Sequence, residues 1–353
     1  MMQDCPKTRR SSSPLWSWTA SLVLLALGPG VCLGVGSVST VSPRPLGMGG
    51  AFVAVEDQTA AALWNPAAFD PPECIAAGGF RVHVNALGGL AIIRETGLLT
   101  GVESEQFERL DFPEQSLVAV GSLIKSATFR RGGFSAGVIL LEEFLDPDLL
   151  DEAQGLADAA DLLSGYSSTA VVSFRLDPRV SIGMALTLFA GDDDEGERRY
   201  GVGGAYGALL KPNDAVTVGL TYFDIPSEFG HFRSSIEGLG PRTMNAGIAW
   251  RPRRSLSVTV DLRDMAEKND GTALEPRAGF EWNLWDRLAL RAGAFREGES
   301  ERGVLTLGAG AIPMRPCWRA PGSPPGDEYV LNYAVLLADG GRPRHLLSAV
   351  LHF

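Results

Sequence analysis

From about residue 116 to the C-terminus the chain repeats one pattern, in which apolar positions alternate with small or polar ones over runs of about eight to twelve residues. A period of two is the mark of a strand with two unlike faces. In the run 181–189, Ile182, Met184, Leu186 and Leu188 share one face and Ser181, Gly183, Ala185 and Thr187 the other. The run 256–263 sets Leu256, Val258, Val260 and Leu262 against Ser257, Thr259, Asp261 and Arg263, so charge is confined to one side. Val216, Val218, Leu220 and Tyr222 oppose Thr217, Gly219, Thr221 and Phe223 in the same way. One face toward lipid and one toward a lumen produces this contrast.

The connections alternate as well. Short segments rich in Pro and Arg (177–179, 211–214, 251–254, 284–286) take turns with longer acidic ones (142–165, 191–197, 224–241, 264–273). Bacterial barrels have short periplasmic turns and longer outer loops, which puts the acidic segments outside. Counting runs from Cys74 onward predicts about fourteen strands, with Glu73 to Arg94 readable as one strand or a hairpin. The fold class expected is all-β, a transmembrane antiparallel barrel of about fourteen strands with an N-terminal luminal plug or hatch. A soluble sandwich or propeller also has many short strands, but its buried face is bulky. Here the face opposite the apolar one is mostly Gly, Ala, Ser and Thr. The chain closes on the alternation Leu347, Ala349, Leu351, Phe353, similar to the terminal signal of outer-membrane barrels.

Composition sharpens this picture in two ways. The 42 glycines and moderate apolar content (45%) do not suit a domain packed around one Leu/Ile/Phe core. A net charge of -11, with scattered arginines, excludes a phosphate-binding surface and with it nucleic acid. At the N-terminus, Lys7, Arg9 and Arg10 precede the apolar run Leu22 to Leu27, which Gly28, Pro29 and Gly30 end. That is the form of a cleaved signal peptide over 1–36, and it is too short for a membrane helix. Val31 before Cys32 does not fit a lipidation site, and Ser11 to Ser13 do not fit a twin-Arg signal. Cleavage near Gly34 or Gly36 leaves Cys74 and Cys317, whose separation in sequence does not say whether they meet.

The remaining organisation is a segment at 37–72 followed by a barrel over 73–353. The segment reads Arg44-Pro45-Leu46-Gly47-Met48-Gly49-Gly50-Ala51-Phe52-Val53-Ala54-Val55-Glu56-Asp57, then Ala61-Ala62-Leu63-Trp64-Asn65-Pro66-Ala67-Ala68-Phe69. Glycines 47, 49 and 50 allow turns and close approach to a wall. Pro66 fixes a bend, and Asn65 is suited to bonding its own turn. This stretch resembles the PorV/PorQ branch of the FadL-type outer-membrane proteins, with Ala68-Phe69 where the family usually has Gly and an apolar residue. The resemblance is detailed over 44–70 and architectural beyond. It implies that Gly47, Met48, Gly49, Gly50, Asn65, Pro66 and Ala67 belong to a hatch whose movement admits cargo. A permanent plug has the same sequence signature.

Motifs that suggest other chemistry do not hold together. Gly133-Phe134-Ser135-Ala136-Gly137 has the nucleophile-elbow spacing, but Val138 to Leu141 continue a strand where a helix is needed. Asp192, Asp193, Asp194, Glu195 and Glu197 lack the spacing of a calcium loop. The four histidines (His83, His231, His345, His352) show no metal-binding pattern. No enzyme, no metal and no cofactor are expected. Leu149, Leu156, Ala160 and Leu163 have helical spacing and predict an amphipathic loop helix.

The function implied by the resemblance is passage of small hydrophobic molecules, such as fatty acids or aromatic hydrocarbons, across a bacterial outer membrane. The alternative is a partner-binding barrel of a type IX-like secretion or surface-attachment system. Expected partners are outer-membrane lipid, the barrel-assembly and periplasmic chaperone machinery during insertion, and either a hydrophobic small molecule or a secreted protein.

Overall fold

The computed structural model describes residues 43–71, 81–85, 115, 120, 124–143, 165–192, 198–224, 242–263, 274–285, 287–296, 303–314, 328–338 and 343–352. The proposed leader, Cys74, Cys317, Phe353, the loop helix at 149–163, most of the acidic run at 192–197 and most of the long connections lie outside these residues. No helix among the described residues is long and apolar enough to cross a membrane, which leaves crossing by strands open.

Among the described residues fourteen strands follow one another in chain order: β1 Arg81–Asn85, β2 Ile124–Arg131, β3 Phe134–Glu143, β4 Gly165–Asp177, β5 Val180–Asp192, β6 Arg198–Asn213 and β7 Val216–Asp224. They continue as β8 Arg242–Arg253, β9 Leu256–Arg263, β10 Glu275–Leu284, β11 Leu288–Arg296, β12 Gly303–Met314, β13 Glu328–Ala338 and β14 Arg344–His352. Each pairs antiparallel with its neighbours in sequence, and β1 pairs with β14 to close the barrel. Closure leaves no unpaired edge, which is what a sheet surrounded by hydrocarbon requires. The region 73–94 supplies one described strand, β1, so the expected total of about fourteen is met. His83 and His352, far apart in sequence, are register partners across the closing seam.

The two faces separate as the alternation requires. On β5, Met184, Leu186 and Leu188 are 49, 53 and 54% exposed, whereas Ser181 and Ala185 are 6 and 7% exposed. Thr259, Asp261 and Arg263 point inward and are buried, while Val260 and Leu262 face out. An antiparallel barrel wrapped in apolar side chains is the architecture of a bacterial outer-membrane protein. Aromatic residues mark both margins of the apolar surface. Phe174, Trp250, Trp282 and Trp285 stand beside the short turns, and Tyr200 and Tyr222 stand near the long connections. Such girdles sit at the membrane interfaces, and in bacterial barrels the short turns are the periplasmic ones. Each predicted short turn joins a hairpin: 177–180 between β4 and β5, 213–216 between β6 and β7, 253–256 between β8 and β9, 284–288 between β10 and β11.

Candidate functional site

Residues 43–71 cross the lumen and touch the inner face of most strands. They begin with α1 (Pro43–Gly47), turn back on themselves, and rise into α2 (Ala61–Trp64) and a 3-10 turn (Pro66–Ala68). Gly49 and Gly50 both have positive φ, 64° and 67°, so the reversal after Met48 needs residues without a Cβ. Asp57 then folds the segment by accepting from the backbone N–H of Thr59 and Ala60 at 2.9 and 2.7 Å. It also forms a parallel bridge with Phe69.

What lets backbone lie against a sheet is a belt of glycines on the inner face. A Cβ on Gly183 would strike the backbone of Pro66 and Ala67, one on Gly207 would strike Asn65 Oδ1, and one on Gly219 the carbonyl of Val53. On the opposite wall, Gly279 and Gly293 stand against Met48 and Gly49, and Gly308 against Gly47. The sheet register pairs Gly183 with Gly207, Gly219 with Gly247 and Gly279 with Gly293, while Gly308 stands opposite Arg291 and Ala334. Pairing two glycines opens a slot two strands wide at one height. A single glycine surrounded by larger residues would leave only a dent.

Into these slots the plug hydrogen-bonds on both sides. Asn65 is fully buried. Its Oδ1 accepts from Ala67 N at 3.0 Å, capping the 3-10 turn, and its Nδ2 donates to Val53 O at 2.8 Å and to Ala208 O on β6 at 3.3 Å. One side chain thus closes the local turn, ties two lengths of plug together and joins both to the wall. Across the lumen, Thr306 Oγ accepts from Gly49 N at 2.9 Å and donates to Gly47 O at 3.2 Å. Asp261 Oδ2 accepts from Val53 N at 2.9 Å. Ser173 Oγ donates to Ala67 O at 3.4 Å. Gly47, Met48, Gly49, Gly50, Asn65, Pro66 and Ala67 are therefore all at the plug–wall junction, in two groups on opposite walls.

Two ionic clusters complete the attachment. In the first, the Arg44 guanidinium lies between Asp57 of the plug and Glu281 of β10, with Nε and Nη2 donating to Glu281 at 2.9 and 2.8 Å. Glu281 also accepts from Arg291 Nε at 2.7 Å, and Arg291 reaches Asn332 on β13 at 3.0 Å. Desolvation pulls the Arg44 pKa down, but the pull of Glu281 and then Asp57 outweighs it and holds the pKa above its ordinary value. Arg44 stays a cation at every accessible pH.

The second cluster lies at the short-turn end. Glu56 meets Lys211 at 2.6 Å, Arg175 at 3.5 Å and Arg251 at 3.9 Å. Asp70 meets Arg130 at 2.6 Å and Arg175 at 2.9 Å. Reading residues one at a time missed both clusters. A signal was present for the second, because each of these bases stands just before a short turn.

The plug and the wall share one apolar cluster. Phe52, Trp64 and Phe69 pack with Ile139, Val171, Phe189 and Phe223, and the Phe52 and Trp64 rings meet edge to face at 6.0 Å between centroids. The Gly133 to Gly137 stretch is a hairpin entering β3, with Ser135 on the inner face. Among the described residues no three His, Cys, Asp or Glu side chains gather as a metal site.

No family model matches the chain, and no curated protein matches it. Among solved structures, it is similar to the CymD monoaromatic hydrocarbon channel at 11% identity and a TM-score of 0.48, covering 89% of this chain and 97% of that one. It is likewise similar to the Ralstonia pickettii toluene transporter TbuX at 12% identity and a TM-score of 0.45, covering 89 and 98%. A Pseudomonas aeruginosa FadL homologue aligns at 13% identity and a TM-score of 0.44, covering 90 and 98%.

Proposed function

We propose that this barrel passes small hydrophobic molecules, such as fatty acids or aromatic hydrocarbons, across the outer membrane, with residues 43–71 as the hatch. The observation that supports it most is the apolar cluster that the plug shares with the wall, to which Phe189 and Phe223 of the wall and Trp64 of the plug all belong. A lumen for hydrophilic solutes is lined with polar groups and water. Apolar wall residues that a moving hatch uncovers instead offer a hydrophobic solute a medium better than water, by about 25 cal/mol per Å² of its surface removed from solvent. Asn65-Pro66-Ala67 is the catch of this hatch, because opening it breaks the bond from Asn65 to Ala208 of the wall. The placement on the PorV/PorQ branch rests on the motif at 44–70.

The test is identification by mass spectrometry of molecules retained by detergent-purified protein, paired with uptake of radiolabelled fatty acid and toluene by expressing cells. Wild type is expected to retain apolar molecules that an Asn65→Ala/Pro66→Ala double variant loses, and Phe189→Asp/Phe223→Asp is expected to slow uptake several-fold. Uptake equal to that of cells lacking the protein, together with stoichiometric co-purifying proteins, refutes transport and favours the partner-binding alternative.

A further inference from the structure

At the short-turn mouth, β2, β4, β6 and β8 each carry one base on the inner face at the same level: Arg130, Arg175, Lys211 and Arg251. Their common level is set by the hairpins. Arg175 N donates to Gly133 O at 2.7 Å, Lys211 N to Arg179 O at 2.8 Å, and Arg251 N to Ala215 O at 2.7 Å, the same relation repeated around the wall. The flanking residue on the outer face is apolar in each case, Phe129, Phe174, Leu210 and Trp250. The bases therefore form an arc on the inner rim, distinct from the lipid-facing girdle. Four cations at one height repel one another, and an arc of this kind is stable when it holds anions.

Its anions are Glu56 and Asp70 of the plug. Their side chains are only 16 and 26% exposed, and those of the four bases are 19 to 34% exposed, so the pairs are shielded from water without being sealed from it. Arg130 Nη1 also donates to Pro71 O at 3.1 Å, where the plug leaves the arc. Two carboxylates against four cations leave the arc two positive charges in excess among these pairs. The attachment here differs in kind from the opposite one. There Glu281 and Arg291 are almost wholly buried within the barrel, whereas the arc opens toward the periplasm.

We propose that the arc of Arg130, Arg175, Lys211 and Arg251 is an anion-binding site for carboxylates and small anions, occupied by Glu56 and Asp70 while the lumen is shut. Plug carboxylates and external anions then compete for the same four bases. Displacing the plug uncovers a positive mouth, and screening by salt loosens the latch because the pairs are partly hydrated. The latch rests on the hatch movement proposed above but not on which molecule the barrel carries.

The experiment is conductance of the full chain in planar lipid bilayers, with potassium chloride as the only solute. Heat-modifiable migration in gels establishes that each variant is folded. Glu56→Gln/Asp70→Asn is expected to raise the open fraction about tenfold at about 0.1 M salt, the factor that a few half-shielded ion pairs supply together. In a salt gradient its reversal potential is expected to show chloride preference. Adding Lys211→Gln and Arg251→Gln, which leaves Arg130 and Arg175 in the arc, is expected to leave the pore open and to weaken that preference. Wild type is expected to open more often at about 1 M salt, where the screening length falls from about 10 Å to about 3 Å. An unchanged open fraction in the Glu56/Asp70 variant overturns the latch. An open pore without chloride preference overturns the anion site. A wild-type open fraction that does not respond to salt overturns the competition, with no variant needed.

Discussion

Replacing Gly207 with alanine adds one methyl group to a 353-residue chain, and the structure allows its effect to be worked out. The new Cβ would overlap Asn65 Oδ1 and stand 2.9 Å from Ala67 N, with neither able to retreat. Asn65 is held by its own bonds to Val53 and Ala208, and the plug is stopped on the far wall, where Gly49 and Met48 already lie against Gly293 and Gly279. Overpacking a rigid site costs about 1–3 kcal/mol. Giving up the wall bond from Asn65 adds about 1 kcal/mol. A total of about 2–4 kcal/mol enlarges the undocked population of the plug by about 30- to 1000-fold. Hydrogen–deuterium exchange in detergent, read by mass spectrometry, measures this directly. Amides of Gly49, Val53 and Ala67 should exchange faster by that factor, while amides of β5 and β6 keep their protection. Gly204→Ala is the control: it lies on an adjoining stretch of the same strand, and its added Cβ meets nothing nearer than Tyr206 at 3.8 Å. Plug protection in Gly207→Ala equal to that in Gly204→Ala and wild type would refute the belt as the seat of the plug.

Glu281→Gln removes the carboxylate shared by Arg44 and Arg291. Breaking a buried pair costs about 3–5 kcal/mol, so urea unfolding in detergent should shift to a markedly lower midpoint, and an unchanged midpoint refutes the assignment. Leu186→Arg places a charge in the middle of the outer face of β5. It should cost about 2–4 kcal/mol in lipid vesicles, and a neutral result there would contradict the orientation of this face.

The order of the strands, the direction of each face and the position of the short turns were legible in the chain, because a period of two sorts side chains one strand at a time. So was the special nature of 44–70, whose glycines and Asn-Pro pair do not suit a strand. Even the small residues opposite the apolar face were visible, although not their purpose. That purpose depends on register. Gly183 and Gly207 are unremarkable as single residues, and only their pairing across β5 and β6 makes a slot that backbone can enter. Charge behaved in the same way. The acidic total directs attention to the outer loops, yet Glu56, Asp57, Asp70, Asp261 and Glu281 work inside, each opposite a base or an amide of another element. Arg44 and Glu281 are separated by 237 residues and meet at 2.8 Å. Local alternation determined a barrel because burial on one face is a property of each strand alone. The tertiary structure decided where the plug sits, because contacts across a lumen exist only after fourteen strands have closed around it.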